Sequence, residues 1–179
     1  MDISEGFAGR EAEIAALFAR TFAASEGEAE GDLIGGLVRD MMAGTPEEDI
    51  RVFTAAERGA LLGAVVFTRI VWSEDARAAF ILSPAAVAPE RQGEGIGQAL
   101  IRFALDALRE AGVEAALTYG DPNYYGKVGF APVSKAVAPA PQPLSQPEGW
   151  LALSLAGEAL TPLRGASRCV PALMRPEFW

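Results

Sequence analysis

The 179-residue chain contains no histidine. That absence removes serine–histidine and cysteine–histidine nucleophilic pairs, histidine general bases and histidine-containing zinc sites. Chemistry is left to carboxylates, tyrosine, serine, backbone groups or a bound cofactor, and no metal is expected. Cysteine is nearly absent too. A single Cys169 cannot form an intramolecular disulfide, which suits a reducing compartment, and its expected role is a small buried hydrophobe. Cations are outnumbered, 15 Lys and Arg against 24 Asp and Glu for a net charge of -9, and they form no basic run. Nucleic-acid phosphates reward clustered cations, so no nucleic-acid partner is expected. A positively charged amine suits the acidic balance better. No segment approaches the roughly 18 consecutive apolar residues of a membrane span. The opening "MDISEGFAGREAE" has neither the basic start nor the apolar stretch of a signal peptide. The expectation is a cytoplasmic protein with no membrane partner, a monomer or a homodimer.

What is present suffices for one packed core, since half the residues are hydrophobic. A single domain over 1–179 is expected, with a core of 1–135 and a Pro-rich connection and C-terminal strands over 136–179. Ile14, Leu17, Phe18 and Phe22 recur at helical spacing in 9–23, as do Leu33, Leu37, Met41 and Met42 in 32–43, where Asp32 is placed to cap the start. Residues 50–72 predict a strand, a tight turn at Arg58-Gly59 and a longer strand. Residues 77–90 predict another, broken at Ser83-Pro84 because proline lacks the ladder's amide donor. "IGQALIRFALDALRE" (96–110) is the clearest helix and ends at Gly112. Then come a short strand "VEAALTY", a turn with a helical piece in "GDPNYYGKVGF", a strand starting in "APVSK", an extended surface connection over 136–149, and strands in "WLALSLAG" and "RCVPALMRPEFW". The order predicts an α/β domain with one central sheet. Trp72, Trp150 and Trp179 are expected in the core or an interface.

Between the 77–90 strand and the 96–110 helix lies "RQGEGIGQ", with Gly93, Gly95 and Gly97 at alternate positions. It is not a P-loop, because no Lys follows. It is not the dinucleotide fingerprint, because the third glycine position falls on Gln98 or Leu100. A glycine-rich segment opening a helix still aims several backbone amides and the positive helix end at one point, an anion site that needs no basic side chain. Glu94 is expected to point to solvent, away from such an anion.

Strand, "V-x-P-E-x-Q-G-x-G-I-G-x-x-L", helix, strand, then "Y-G-x-x-G-F" resembles the acetyl-coenzyme A site of the general N-acetyltransferase (GNAT) superfamily. Gln92, Gly95 and Gly97 match its [RQ]-x-x-G-x-[GA] signature, and Tyr125, Gly129 and Phe130 match a second one. The element order from Asp2 to Phe130 fits the family, and the "GDPNYYGKVGF" wording resembles a bacterial subgroup of its N-acetyltransferases. The resemblance implies a mixed, mostly antiparallel central sheet flanked by helices, with a splayed fourth and fifth strand. The pantetheine arm would lie in the splay against Ala85, Ala86 and Val87, with the Val87 N–H on the thioester carbonyl. Gln92, Gly93, Glu94, Gly95, Ile96, Gly97 and Gln98 would wrap the pyrophosphate.

The implied activity is transfer of an acetyl group from acetyl-CoA to a small or peptidyl amine. Tyr125 would be the general acid that protonates the departing thiolate, with Tyr124 as rival because the tyrosine doublet leaves the register open. Tyr125 packing on coenzyme A or in the core is the plainer alternative. A carboxylate acting through water, or solvent, would take the amine proton; Glu90 and Asp121 lie near the motifs, and nothing selects either. Many family members carry Asn seven residues before the tyrosine, to orient the cofactor. Here that residue is Thr118. A non-catalytic acyl-CoA-binding module on the same fold is the alternative function, and acylation of aminoacyl-tRNA is disfavoured by the acidic charge. The helices of 9–43 would shape the acceptor side, and they carry no readable code for it.

Overall fold

The computed structural model describes residues 1–179. In chain order the elements are β1 (Asp2–Glu5), α1 (Glu11–Glu26), α2 (Glu28–Gly44), β2 (Ile50–Glu57), β3 (Ala60–Trp72), β4 (Asp75–Val87), α3 (Ile96–Glu110), β5 (Ala115–Tyr119), α4 (Pro122–Tyr125), β6 (Ala131–Pro132), β7 (Trp150–Ser154) and β8 (Ser167–Cys169). The strands form one sheet in the order β1-β2-β3-β4-β5-β7-β6, with β8 on β3. The β4–β5 pair is parallel, whereas β1–β2, β5–β7, β6–β7 and β3–β8 are antiparallel. The expected α/β class with a mixed, mostly antiparallel sheet holds.

The chain divides into two compact units, Met1–Phe67 with Pro84–Ala104, and Thr68–Ser83 with Leu105–Trp179. In the first, Ile14, Phe18, Leu37, Val38 and Met41 from α1 and α2 are buried, as are Phe53 and Phe67 and, from α3, Leu100 and Ile101. The helical spacing of those apolar residues is what selected helix there. In the second, Ile70, Ile81, Leu82, Leu117, Leu108 and Trp150 form the interior. Trp72 and Trp150 donate their indole N–H groups to the carbonyls of Pro139 and Ala138, at 3.0 and 2.8 Å. The connection over 136–149 is thereby pinned, and its Ala138 is fully buried, so it is not wholly a surface segment. The three tryptophans are buried, as expected.

One unforeseen strand is added, and three expectations change. β1 carries no strand signal of its own; it holds one apolar residue and forms only because its backbone pairs with β2, Ile3 facing Ala55. Asp32 does not cap α2, which begins four residues earlier, where Gly27 at φ 100° ends α1. The strand expected in "APVSK" amounts to Ala131–Pro132. The strand over Ser83-Pro84 is not broken: β4 runs through it to Val87. The proline's missing donor is accommodated because the parallel ladder with β5 has already ended, its last pair being Leu82 and Thr118.

Candidate functional site

In the first unit the glycine loop connects the end of β4 to α3. Gly93 and Gly95 adopt φ 81° and 79°, and a Cβ on either would meet nothing within 4 Å. Glycine is needed there for the left-handed backbone and not for space. The open flank leaves room for a ligand against the loop backbone. Gly97 lies in the first turn of α3 and is buried beside Ile96, while Gln98 is half-buried. Gln92 is exposed, and its side-chain amide donates to the Val87 carbonyl at 3.1 Å. The Thr21 hydroxyl of α1 donates to the same carbonyl at 3.3 Å. Gln92 thus ties the loop to the strand end, and Thr21 adds a hold from a distant helix. Pro84, Ala86 and Ala88 are buried, whereas Ala85 and Val87 on the alternate face remain half-exposed.

Glu94 is exposed, and its carboxylate accepts from the Arg91 Nε–H at 2.9 Å; Arg91 also reaches Glu57 at 3.3 Å. A carboxylate that would be unfavourable beside an anion is therefore partly neutralised within its own loop. Glu90, one of the two candidate bases, pairs with Arg20 at 3.7 Å.

In the second unit α4 places the tyrosine pair. Asp121, the other candidate base, caps that helix by accepting from the Asn123 N–H at 2.9 Å. Tyr125 is half-buried and packs edge-on to Tyr124 and to Phe130, with ring centroids 5.1 and 5.9 Å away. Burial pushes its phenol up to about 12, with Tyr124 and Asp121 adding to the rise. Tyr124 is also raised by burial. Thr118 is buried, and its hydroxyl donates to the Leu82 carbonyl at 2.9 Å. Sequence reasoning noted Thr118 only as a departure and missed its hydrogen bond to Leu82. It also missed Thr21 and Arg91. For Thr21 a signal existed: it lies on the buried face of α1 beside Phe18, where a polar residue needs a partner.

Comparison with known proteins resolves what this combination belongs to. The family model "Acetyltransferase (GNAT) domain" matches residues 48–132. The chain is 33% identical over 145 residues to the uncharacterized N-acetyltransferase YjhQ of Escherichia coli (strain K12), covering 78% of this chain and 77% of that one. The chain belongs to the GNAT acetyltransferase family. Its fold agrees with that of GNAT structures. YhbS from Escherichia coli, solved in complex with CoA, superposes with a TM-score of 0.78 at 24% identity, over 97% of this chain and 92% of that one. A GNAT acetyltransferase from Brucella melitensis, solved with acetyl-CoA, gives 0.71 at 22% identity, over 96% and 98%. In this GNAT chain β4 outruns its parallel ladder with β5, and the glycine loop follows directly from that longer strand.

Proposed function

We propose that the chain transfers an acetyl group from acetyl-CoA to a primary amine by direct attack, with Tyr125 as general acid. The amine nitrogen attacks the thioester carbonyl, the carbon–sulfur bond breaks, and the thiolate takes the phenolic proton. The proton lost by the amine goes to solvent, because Glu90 and Asp121 are engaged elsewhere. The loop over 92–98 would hold the pyrophosphate through its backbone amides, and the open flanks of Gly93 and Gly95 support that role. Ala85, Ala86 and Val87 would meet the pantetheine arm along the β4 backbone.

The observation that carries the reading is the open, left-handed glycine loop leading into α3, with Tyr125 held by Phe130 and Gly120 as the acid. In water a thiolate, of ordinary value about 8.5, would gain little from a phenol of about 10. Burial raises the phenol, and it would raise a thiol held in a dry place too. The chain's own buried Cys169 thiol is pushed up to about 12. A coenzyme A sulfur leaving in a dry place would be raised in the same direction, which favours its protonation.

The engaged state of both carboxylates favours a second reading, a non-catalytic acyl-CoA-binding module. One experiment separates the two. Turnover with acetyl-CoA and a panel of amines is compared for the wild type, Tyr125→Phe and Tyr124→Phe, alongside acetyl-CoA affinity by calorimetry. Tyr125→Phe is expected to lower kcat by roughly 10²–10⁴-fold with little change in affinity. A loss confined to Tyr124→Phe would move the acid by one residue. Tight acetyl-CoA binding with no acetylation of any amine would favour the module.

A further inference from the structure

We infer that Arg91 is an anion-binding residue of the glycine loop and that Glu94 competes with the ligand for it, so that this pair sets the affinity for the anionic end of acetyl-CoA. The inference rests on reading the 92–98 loop as the pyrophosphate site, and it concerns which side chains tune that site.

Arg91 is the only cation between Pro89 and Gln98. It closes the short turn Pro89–Arg91 that leads into the loop. The neighbouring Gln92 amide is turned back to the Val87 carbonyl at 3.1 Å. The Nε–H of Arg91 is shared between both carboxylate oxygens of Glu94, at 3.0 and 2.9 Å, and one Nη1–H reaches Glu57 at 3.3 Å. The second N–H on Nη1 and both on Nη2 have no acceptor in the protein. Glu94 thus meets a single nitrogen and lacks the parallel two-point grip by which arginine holds a carboxylate most firmly. Arg91 keeps donors in hand for a second set of oxygens.

Glu94 stands between Gly93 and Gly95, at φ 81° and 79°. Its carboxylate therefore springs from the same backbone that is proposed to meet the phosphates. Glu57, Arg91 and Glu94 together place two negative charges around one positive charge. An anion arriving at the loop meets that negative surplus unless Glu94 gives up Arg91. The exchange is cheap, because the Arg91 and Glu94 side chains are 30% and 47% exposed and an ion pair this close to water is weak. A phosphate oxygen returns to Arg91 the charge-assisted bond it gives up.

The signs of two substitutions separate this from a pair that only braces the loop. If bracing were the whole role, losing either partner would weaken binding. Competition makes the two losses act in opposite directions. Calorimetry measures acetyl-CoA affinity for the wild type, Arg91→Met, Glu94→Gln and Gly95→Glu at low and high salt, with melting temperatures to confirm folding. Arg91→Met is expected to weaken binding about tenfold, the scale of one charge-assisted hydrogen bond. Glu94→Gln is expected to tighten it about three- to tenfold at low salt, and the gain should shrink at high salt as exposed charges are screened. Weaker or unchanged binding in Glu94→Gln overturns the inference, as does unchanged binding in Arg91→Met. In either case a Gly95→Glu variant that no longer binds leaves the loop assignment standing. Unaltered affinity in Gly95→Glu removes the loop assignment and this inference with it.

Discussion

Gly95 and Gly120 are glycine for opposite reasons. Gly95 has space and an unusual backbone: φ is 79°, and a Cβ there would meet nothing within 4 Å. Gly120 has no space, because the Tyr125 ring occupies it. Their substitutions should therefore fail differently. Gly95→Ala meets no clash but carries about 1–2 kcal/mol of left-handed strain, so the loop should relax and acetyl-CoA affinity fall about tenfold while kcat holds. Gly95→Glu adds a negative charge where a phosphate is proposed to sit and should nearly abolish binding. Calorimetry on the folded variants checks both, and an unaltered affinity in Gly95→Glu contradicts the pyrophosphate assignment. Gly120→Ala should displace the Tyr125 ring and reduce kcat far more than it changes the KM for acetyl-CoA. Steady-state kinetics showing the reverse split would mean that the ring is not held by this contact.

At the scale of the element, the start of β4 is fastened by one arginine. Arg77 donates to both carboxylate oxygens of Asp75, at 2.9 and 2.8 Å, to the Thr161 hydroxyl at 2.8 Å and carbonyl at 3.1 Å, and to the Pro162 carbonyl at 2.9 Å. It binds the strand to a segment more than eighty residues away in sequence. The hydrogen bond from Arg77 holds the Asp75 carboxyl well below the usual carboxylate range. A depressed carboxylate stabilises the fold above its unfolded value, about 3.9, and that stabilisation is lost as pH falls through the lower folded value. Arg77→Met should remove this acid-side component and lower the melting temperature at neutral pH. Loss of such a charged hydrogen bond is worth about 1.5–3 kcal/mol. Hydrogen exchange should quicken at the amides of Glu74, Arg164 and Ala166, which bond to Arg164, Asp75 and Ser73. Unchanged protection at those three amides would show that the clamp is dispensable.

For the whole molecule, a chain without histidine lacks the side chain that ordinarily titrates near neutrality, so beyond the acid side its pH response lies on the alkaline side. Tyr125 and Cys169 are both held neutral by burial, each up to about 12. Their folded values exceed the unfolded ones, about 10 and about 8.5, so the stabilisation is complete below those unfolded values and is lost as pH rises toward about 12. The denaturant midpoint should fall across that window, and Cys169→Ala should flatten part of the fall. Activity should behave differently. It should rise with pH as more acceptor amine is unprotonated, with no descending limb from Tyr125 until pH approaches its raised value of about 12. A descending limb at pH 8–9 that disappears in Tyr125→Phe would show the phenol to be far more acidic than its burial implies.

Short-range signals of the sequence determined a good deal by themselves. Helical spacing located α1, α2 and α3, the left-handed pair Arg58 and Gly59 made the β2–β3 turn, and the alternating glycines marked the loop. These are legible because each is written within a few residues and rests on local backbone preferences. What needed the tertiary structure is what long-range pairing decides. β1 is a strand only through its ladder with β2, and α2 starts at a glycine that no cap residue announces. The Val87 carbonyl is tied down by Thr21 from 66 residues away, and Arg91 is shared between a loop neighbour and the distant Glu57. Thr118 looked like a defect in a motif. Strand register sets its hydroxyl against the Leu82 carbonyl, and the turn at Gly120 seats the Tyr125 ring just past it. A hydroxyl's partner depends on where the sheet places it, and no local pattern encodes that position.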